Sequence, residues 1–220
     1  TPMASIQEGT HLLLDEIPGP VTQEQRTTLR IMADSSRRLI TLISTILDLS
    51  KMNAGMMEYR VLPTDIKRVT DVSVRKVQLL ADAKHVQLVF ESPVQPVWVK
   101  ADAFRIEQVL DNLLSNALKF SPEGGIVKML MQPDSKAGVL EVSVTDGGPG
   151  IQTEDLPYIF DRFYQGRTKA KHAAPGSGLG LALAKNVVEA HGGRIWIESE
   201  AKRGTTVRFV LLLTQVGETA

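Results

Sequence analysis

Between Thr22 and Asn53 apolar residues recur mostly at steps of three and four: Leu29, Met32, Leu39, Leu42, Ile43, Ile46, Leu47 and Leu49. That spacing lays them along one stripe of an α-helix. Thr22 is placed to be the N-cap, and Gln25, three residues on, sits at the capping-box position. Asn53-Ala54-Gly55 supplies the stop. Upstream, Leu12, Leu13 and Leu14 run into Ile17-Pro18-Gly19-Pro20, which cannot continue a helix. The pattern predicts two antiparallel helices joined by a short loop. One such hairpin offers too little surface to cover the stripe, and pairing two copies into a four-helix bundle is the economical solution.

From about Glu58 to Gln215 the pattern changes to alternating helices and strands. Val86–Glu91, Val97–Lys100, Gly125–Met131, Leu140–Thr145, Ile195–Glu198 and Thr205–Leu213 read as strands. A helix capped by Asp102 runs from Ala103 to about Phe120, and another from Leu179 to His191. This mixture predicts a two-layer α/β sandwich, so the whole chain is α+β: residues 1–54 a helical hairpin, residues 55–220 the sandwich. The polar, basic stretch Gln165–Gly178, with Arg167, Lys169, Lys171 and His172, reads as a mobile loop. Hydrophobic residues make up 43% of the chain, enough for a sizeable core. Lys plus Arg and Asp plus Glu both number 25, which argues against a general nucleic-acid binder. There is no cysteine, which excludes disulfides, zinc–thiolate sites and thiol nucleophiles. No apolar run approaches the ~20 residues that span a bilayer, so no membrane contact by this segment is expected.

Three motifs carry the chemistry. In Gln108–Phe120, Asn112, Asn116 and Lys119 share one helix face while Val109, Leu110, Leu113, Leu114 and Ala117 fill another. Two carboxamides and an ammonium in a row can orient water, offer a carbonyl oxygen to a hard cation and touch a phosphate. Next, a β-rich run ends in Asp146-Gly147-Gly148-Pro149-Gly150-Ile151, one carboxylate followed by glycines that admit close approach to the backbone. That carboxylate can accept a hydrogen bond from an exocyclic amine. Third, Gly176-Ser177-Gly178-Leu179-Gly180-Leu181 leads straight into a helix, whose free N–H groups and dipole favour phosphate. The glycine spacing fits neither the dinucleotide fingerprint nor the P-loop. Each motif alone also has an ordinary reading, as a solvated face, a tight turn or a hinge. Their order and spacing change the odds: Asn116 to Asp146 and Asp146 to Gly176 are each thirty residues.

In this arrangement the chain resembles the sensor histidine kinases of two-component signalling, within the superfamily that includes gyrase-type topoisomerases and MutL proteins. Asn112–Phe120 matches the N box, Asp146–Ile151 and Gly176–Leu181 the glycine boxes, and Ile159-Phe160-Asp161-Arg162-Phe163-Tyr164 the F box. His191-Gly192-Gly193 and Gly204-Thr205-Thr206 also fit. Leu47–Gly55 resembles the end of the second dimerisation helix, and Thr1–Ile6 the tail of the H box, H-E-x-x-T-P. On that match the phospho-accepting histidine would precede Thr1. His11, His85, His172 and His191 match no acceptor motif.

The resemblance implies a sandwich of the Bergerat ATP-binding type behind a dimeric four-helix bundle. It implies ATP and Mg²⁺ as cofactors and phosphoryl transfer to a histidine of the dimerisation helix. The phosphate would pass on to the aspartate of a response-regulator receiver domain. Asn116 would coordinate the metal, Asn112 position the reacting groups and Lys119 touch phosphate. Phe120 would pack on adenine, and Asp146 would read its amine, with Gly148, Gly150 and Ile151 lining the approach. Gly176, Gly178, Leu179 and Gly180 would shape the triphosphate loop. Thr1 matches the threonine that orients water when family members dephosphorylate their partner. Gln165 stands where some members carry an arginine, a role that Arg167 or Lys169 would take over. Gly147 replaces a commoner polar residue, and Lys202 stands where glycine is frequent. The family setting is a homodimer in the cytoplasm, as the cytosolic part of a longer sensor, membrane-anchored or not. A nucleotide-binding scaffold without kinase activity and another gyrase- or MutL-like ATPase are the alternatives. The intact N box and glycine boxes weigh against the first, the N-terminal helix pair against the second.

Overall fold

The computed structural model describes residues 2–166 and 176–214, which fall in two compact units, Thr1–Met57 and Glu58–Ala220. Thr1, Arg167, Lys169, Lys171 and His172 lie outside the described residues, as does most of the loop expected at Gln165–Gly178.

The first unit is a pair of helices in contact, α1 (Pro2–Leu14) and α2 (Gln23–Asn53). The capping box forms as the sequence predicts. Gln25 N–H donates to Thr22 Oγ1 at 3.2 Å, and Thr22 N–H donates to Gln25 Oε1 at 2.8 Å. Arg26 ties the connection down, donating to the Leu14 carbonyl at 3.1 Å and pairing with Glu16. Within α2 only Leu29, Ala33, Ser36 and Leu49 are buried. Met32, Leu39, Ile43, Ile46 and Leu47 keep 41–55% of their surface exposed, so α1 covers only part of the stripe.

The second unit is built on a five-stranded sheet. Its strands are β2 (Gln87–Glu91), β4 (Ile126–Asp134), β5 (Val139–Asp146), β6 (Arg194–Glu200) and β7 (Gly204–Leu212), in spatial order β2-β4-β5-β7-β6. β2 and β4 are parallel and the other pairs antiparallel. A separate ribbon pairs β1 (Leu62–Asp65) with β3 (Trp98–Ala101). The helices are α3 (Ile66–Ala83), α4 (Ala103–Phe120) and α5 (Gly180–Ala190), with α4 packed beside both of the others. Alternation along the strands sends Val127, Met129, Met131, Leu140, Val142, Val144, Phe209 and Leu211 inward. They share the core with Ile106, Leu110, Leu113 and Leu114 of α4 and Leu183 and Val187 of α5. The alternate residues form a polar ladder in which Arg208 donates to Glu141 at 2.7 Å and Glu198 at 3.2 Å.

The α/β sandwich expected from the sequence is therefore present, with β1, α3 and a 3₁₀ turn at Leu156–Tyr158 added. The buried face of α3 is Ile66, Thr70, Ser73, Val77 and Ala81. Two hydroxyls in that face and β-branched Val69, Val72 and Val74 around it blur the helical period.

Candidate functional site

The candidate residues converge because α4 lies beside α5 and ends beside the glycine turn after β5. Asp102 starts α4 by accepting from the Phe104 and Arg105 N–H groups at 3.1 and 3.2 Å. Such a cap contributes about 1 kcal/mol. The register this sets buries Val109, Leu110, Leu113, Leu114 and Ala117 and leaves Asn112, Asn116 and Lys119 half-buried on another face. Phe120, at the last turn, keeps its ring partly exposed.

The third motif meets that polar face. A β-carbon placed on Gly180 would lie 3.0 Å from Asn112 Oδ1, and one on Gly176 would lie 3.0 Å from Lys119 Nζ. α5 begins at Gly180 with no side-chain cap, so the N–H groups of its first turn have no capping side chain. Leu179 is 1% exposed; its side chain belongs to the core, and only its backbone is available to a ligand. Its N–H donates to Ser177 Oγ at 3.3 Å. Gln165 donates through Nε2 to the Gly176 carbonyl at 2.7 Å, and Phe163 N–H donates to the Gly178 carbonyl at 2.9 Å. Gln165 is thus engaged with the glycine loop. Burial lowers the Lys119 pKa. Its Nζ lies 5.2 Å from the Phe120 ring centroid, and among the described residues no carboxylate pairs with it. A partly dehydrated cation beside free helix N–H groups suits an anion.

At the other end of the site, Asp146 closes β5 and is 8% exposed. Burial pushes its carboxyl up to about 6, against the opposing pull of backbone N–H groups of Gly148 and Thr205. The Gly148 bond is 2.8 Å to Oδ1. A β-carbon on Gly148 would lie 2.6 Å from Asp146 Oδ1 and 2.8 Å from the Phe120 carbonyl oxygen, so only glycine lets this turn close on the end of α4. Gly150 has φ +67° against the backbone of Glu200. Ile151 N–H donates to Ser199 Oγ at 2.9 Å, which ties the end of this turn to β6. Lys202, at φ +69°, sits in the left-handed region, the physical reason glycine suits that position.

Two residues make contacts around the site that the sequence does not predict. Lys84 donates to three backbone carbonyls at the end of α4. His191 joins α5 to the start of α4: its Nε2 accepts from Asp102 N–H at 2.9 Å, and its Nδ1 lies 2.7 Å from the Val187 carbonyl. The sequence marks His191 as a helix end and as part of the His-Gly-Gly match, without a partner for its ring. Among the described residues no group of three or more His, Asp or Glu could hold a metal ion. No described helix is long and apolar enough to cross a membrane.

Comparison with known proteins gives the same family. The family model described as "Histidine kinase-, DNA gyrase B-, and HSP90-like ATPase" matches residues 101–215, and that of the "His Kinase A (phospho-acceptor) domain" matches residues 1–55. The sensor histidine kinase WalK of Bacillus subtilis is 36% identical, over 83% of this chain and 30% of that protein. The histidine protein kinase DivJ of Caulobacter vibrioides is 34% identical, over 100% of this chain and 37% of its own length. Full-length ShkA, solved in complex with AMPPNP, superposes with a TM-score of 0.81 at 26% identity, covering 98% of this chain and 44% of that one. The mycobacterial sensor histidine kinase MprB gives a TM-score of 0.60 at 31% identity, covering 70% of this chain and 100% of that one. The chain spans well under half the length of these two curated relatives. With both family models met in order along one polypeptide, and the N box and both glycine boxes of the second in place, the chain belongs to the sensor histidine kinases of two-component signalling.

Proposed function

We propose that this chain is the dimerisation and ATP-binding core of a histidine kinase. It binds Mg-ATP in the second unit and phosphorylates a histidine of the dimerisation helix, for relay to a response-regulator aspartate. One observation carries the reading: the uncapped start of α5 meets Asn112 and the glycine loop before it meets Lys119, while the glycine turn after Asp146 meets the end of α4. A ligand with phosphate at one end and an amine-bearing heterocycle at the other fits both.

Asp146 accepts from the adenine amine, Phe120 packs on the ring, and Gly148, Gly150 and Ile151 line the approach. Lys119 and the backbone N–H groups at Gly176–Gly180 hold the phosphates. The carboxamide oxygen of Asn116 would hold Mg²⁺ together with phosphate oxygens. Magnesium ordinarily takes few protein ligands and completes its shell with phosphate oxygens and waters. The metal would neutralise phosphate charge. Asn112 orients the reacting groups. The imidazole nitrogen forms the new N–P bond as the bond to the bridging oxygen breaks, ADP leaves and the imidazole loses its proton. Catalysis here is mostly positioning and charge neutralisation. Thr1 and Arg167 stay as proposals from the resemblance, for regulator dephosphorylation and γ-phosphate contact. Two copies pair through the exposed stripe of α2. The segment works in the cytosol, as part of a longer sensor.

Calorimetric titration with ATP, with magnesium and with a chelator, tests the reading. The chain should bind ATP more tightly with Mg²⁺, and Asn116→Ala should lose that gain. Equal affinity under both conditions in both proteins would refute the metal role, and no binding at all would refute the nucleotide site. Transfer of label from ATP to a separate helix hairpin carrying the complete acceptor motif tests kinase activity.

A further inference from the structure

α4 ends without the usual glycine. Ser121, at φ −59° and ψ 139°, turns straight into extended backbone, and Pro122 follows. The last carbonyls of a helix have no partner within it, and here no left-handed residue arrives to satisfy them. Lys84 does so instead. Its Nζ donates to the carbonyls of Leu118 at 2.7 Å, Lys119 at 2.9 Å and Ser121 at 2.6 Å. Three carbonyls use all three ammonium protons, leaving no donor for a ligand. The charge also sits at the negative end of the helix dipole.

The held turn is the one that carries the site. Lys119 and Phe120 are its last helical residues, and the Phe120 carbonyl lies where a β-carbon on Gly148 would meet it at 2.8 Å, while the Gly148 N–H donates to Asp146. The loops around Lys84 are stitched to the same place. Gly124 N–H donates to the His85 carbonyl at 3.0 Å, and Gln87 N–H to the Gly125 carbonyl at 2.9 Å. A shift in the end of α4 would therefore move Lys119 relative to Asp146, and with it both ends of a bound nucleotide.

We infer that Lys84 is a positioning residue for the nucleotide site: its ammonium clamps the end of α4 so that Lys119, Phe120 and Asp146 keep their mutual geometry, without touching the nucleotide. The inference rests on the reading of these motifs as an ATP site.

The test compares Lys84→Met, which keeps the stem and removes the donors, with Lys84→Arg, which keeps charge and donors. Lys76→Met is the control, since Lys76 only bridges α3 to Glu107 and Asp111 on α4. ATP affinity is measured well below each protein's unfolding temperature, and the Gly148 amide is followed by NMR. Lys84→Met should bind ATP about tenfold or more weakly and shift the Gly148 amide signal. Lys84→Arg should stay within about threefold of the parent chain, and Lys76→Met should change neither readout. Should the Met variant not fold, Lys84→Gln takes its place with the same expectation. Parent-like affinity in a folded, merely less stable Lys84→Met would overturn the positioning role. Failure of the parent chain to bind ATP would instead overturn the nucleotide reading beneath it.

Discussion

Asp146 joins recognition to acidity in a way that can be measured. Its carboxylate must be ionised to accept from an exocyclic amine without offering a competing proton, yet burial holds its pKa at about 6, up from 3.8. With that value about one molecule in eleven is ionised at pH 5 and nearly all at pH 8, so ATP affinity should fall about tenfold between them through this group. ATP's own phosphate also titrates near pH 6, so the quantity to read is the ratio of affinities of the parent chain and Asp146→Asn at each pH. Asparagine keeps the shape and loses the titration. The parent should bind about tenfold more tightly at pH 8, and the ratio should approach one at pH 5. Stability runs the opposite way. A carboxyl raised in the folded state favours folding below its unfolded value near 4, and that contribution is lost as pH rises through about 6. The difference amounts to on the order of 3 kcal/mol, so the parent's melting temperature should show a downward component over this range that the Asn variant lacks. Calorimetric titration and thermal melts from pH 4 to 8 supply both curves. An affinity ratio that is the same at pH 5 and pH 8 would refute the claim that ionised Asp146 reads the base.

His191→Ala removes an acceptor for Asp102 N–H and the contact to the Val187 carbonyl. It should destabilise the second unit by about 1–3 kcal/mol in urea titration, while residual ATP affinity of the folded fraction stays near the parent's. Deleting the residues before Glu58 should leave a folded monomer that still binds ATP, because the exposed stripe of α2 goes with them. Light scattering that finds the same oligomer with and without the hairpin would contradict assembly through those helices.

The sequence by itself determined what depends on neighbours a few residues away. The Thr22–Gln25 capping box, the Asp102 cap and the three- and four-residue steps of α2 and α4 were legible because helix geometry turns short spacings into faces. The order of the N box and the two glycine motifs, with their equal spacing, identified the family before any contact was known. Tertiary structure decided what depends on distant partners. Helix α3 hid behind Thr70 and Ser73, hydroxyls that only the packed fold buries. Leu179 looked like part of a ligand loop, and its side chain turned into the core. Lys84 sits 34 to 37 residues from the carbonyls it holds, and His191 is 89 residues from Asp102. The acidity of Asp146 likewise comes from strands that join it across the sheet at Val127 and Thr205. A carboxylate or an ammonium takes its charge state and its partners from the surroundings that desolvate it, and the chain brings those together only when it folds.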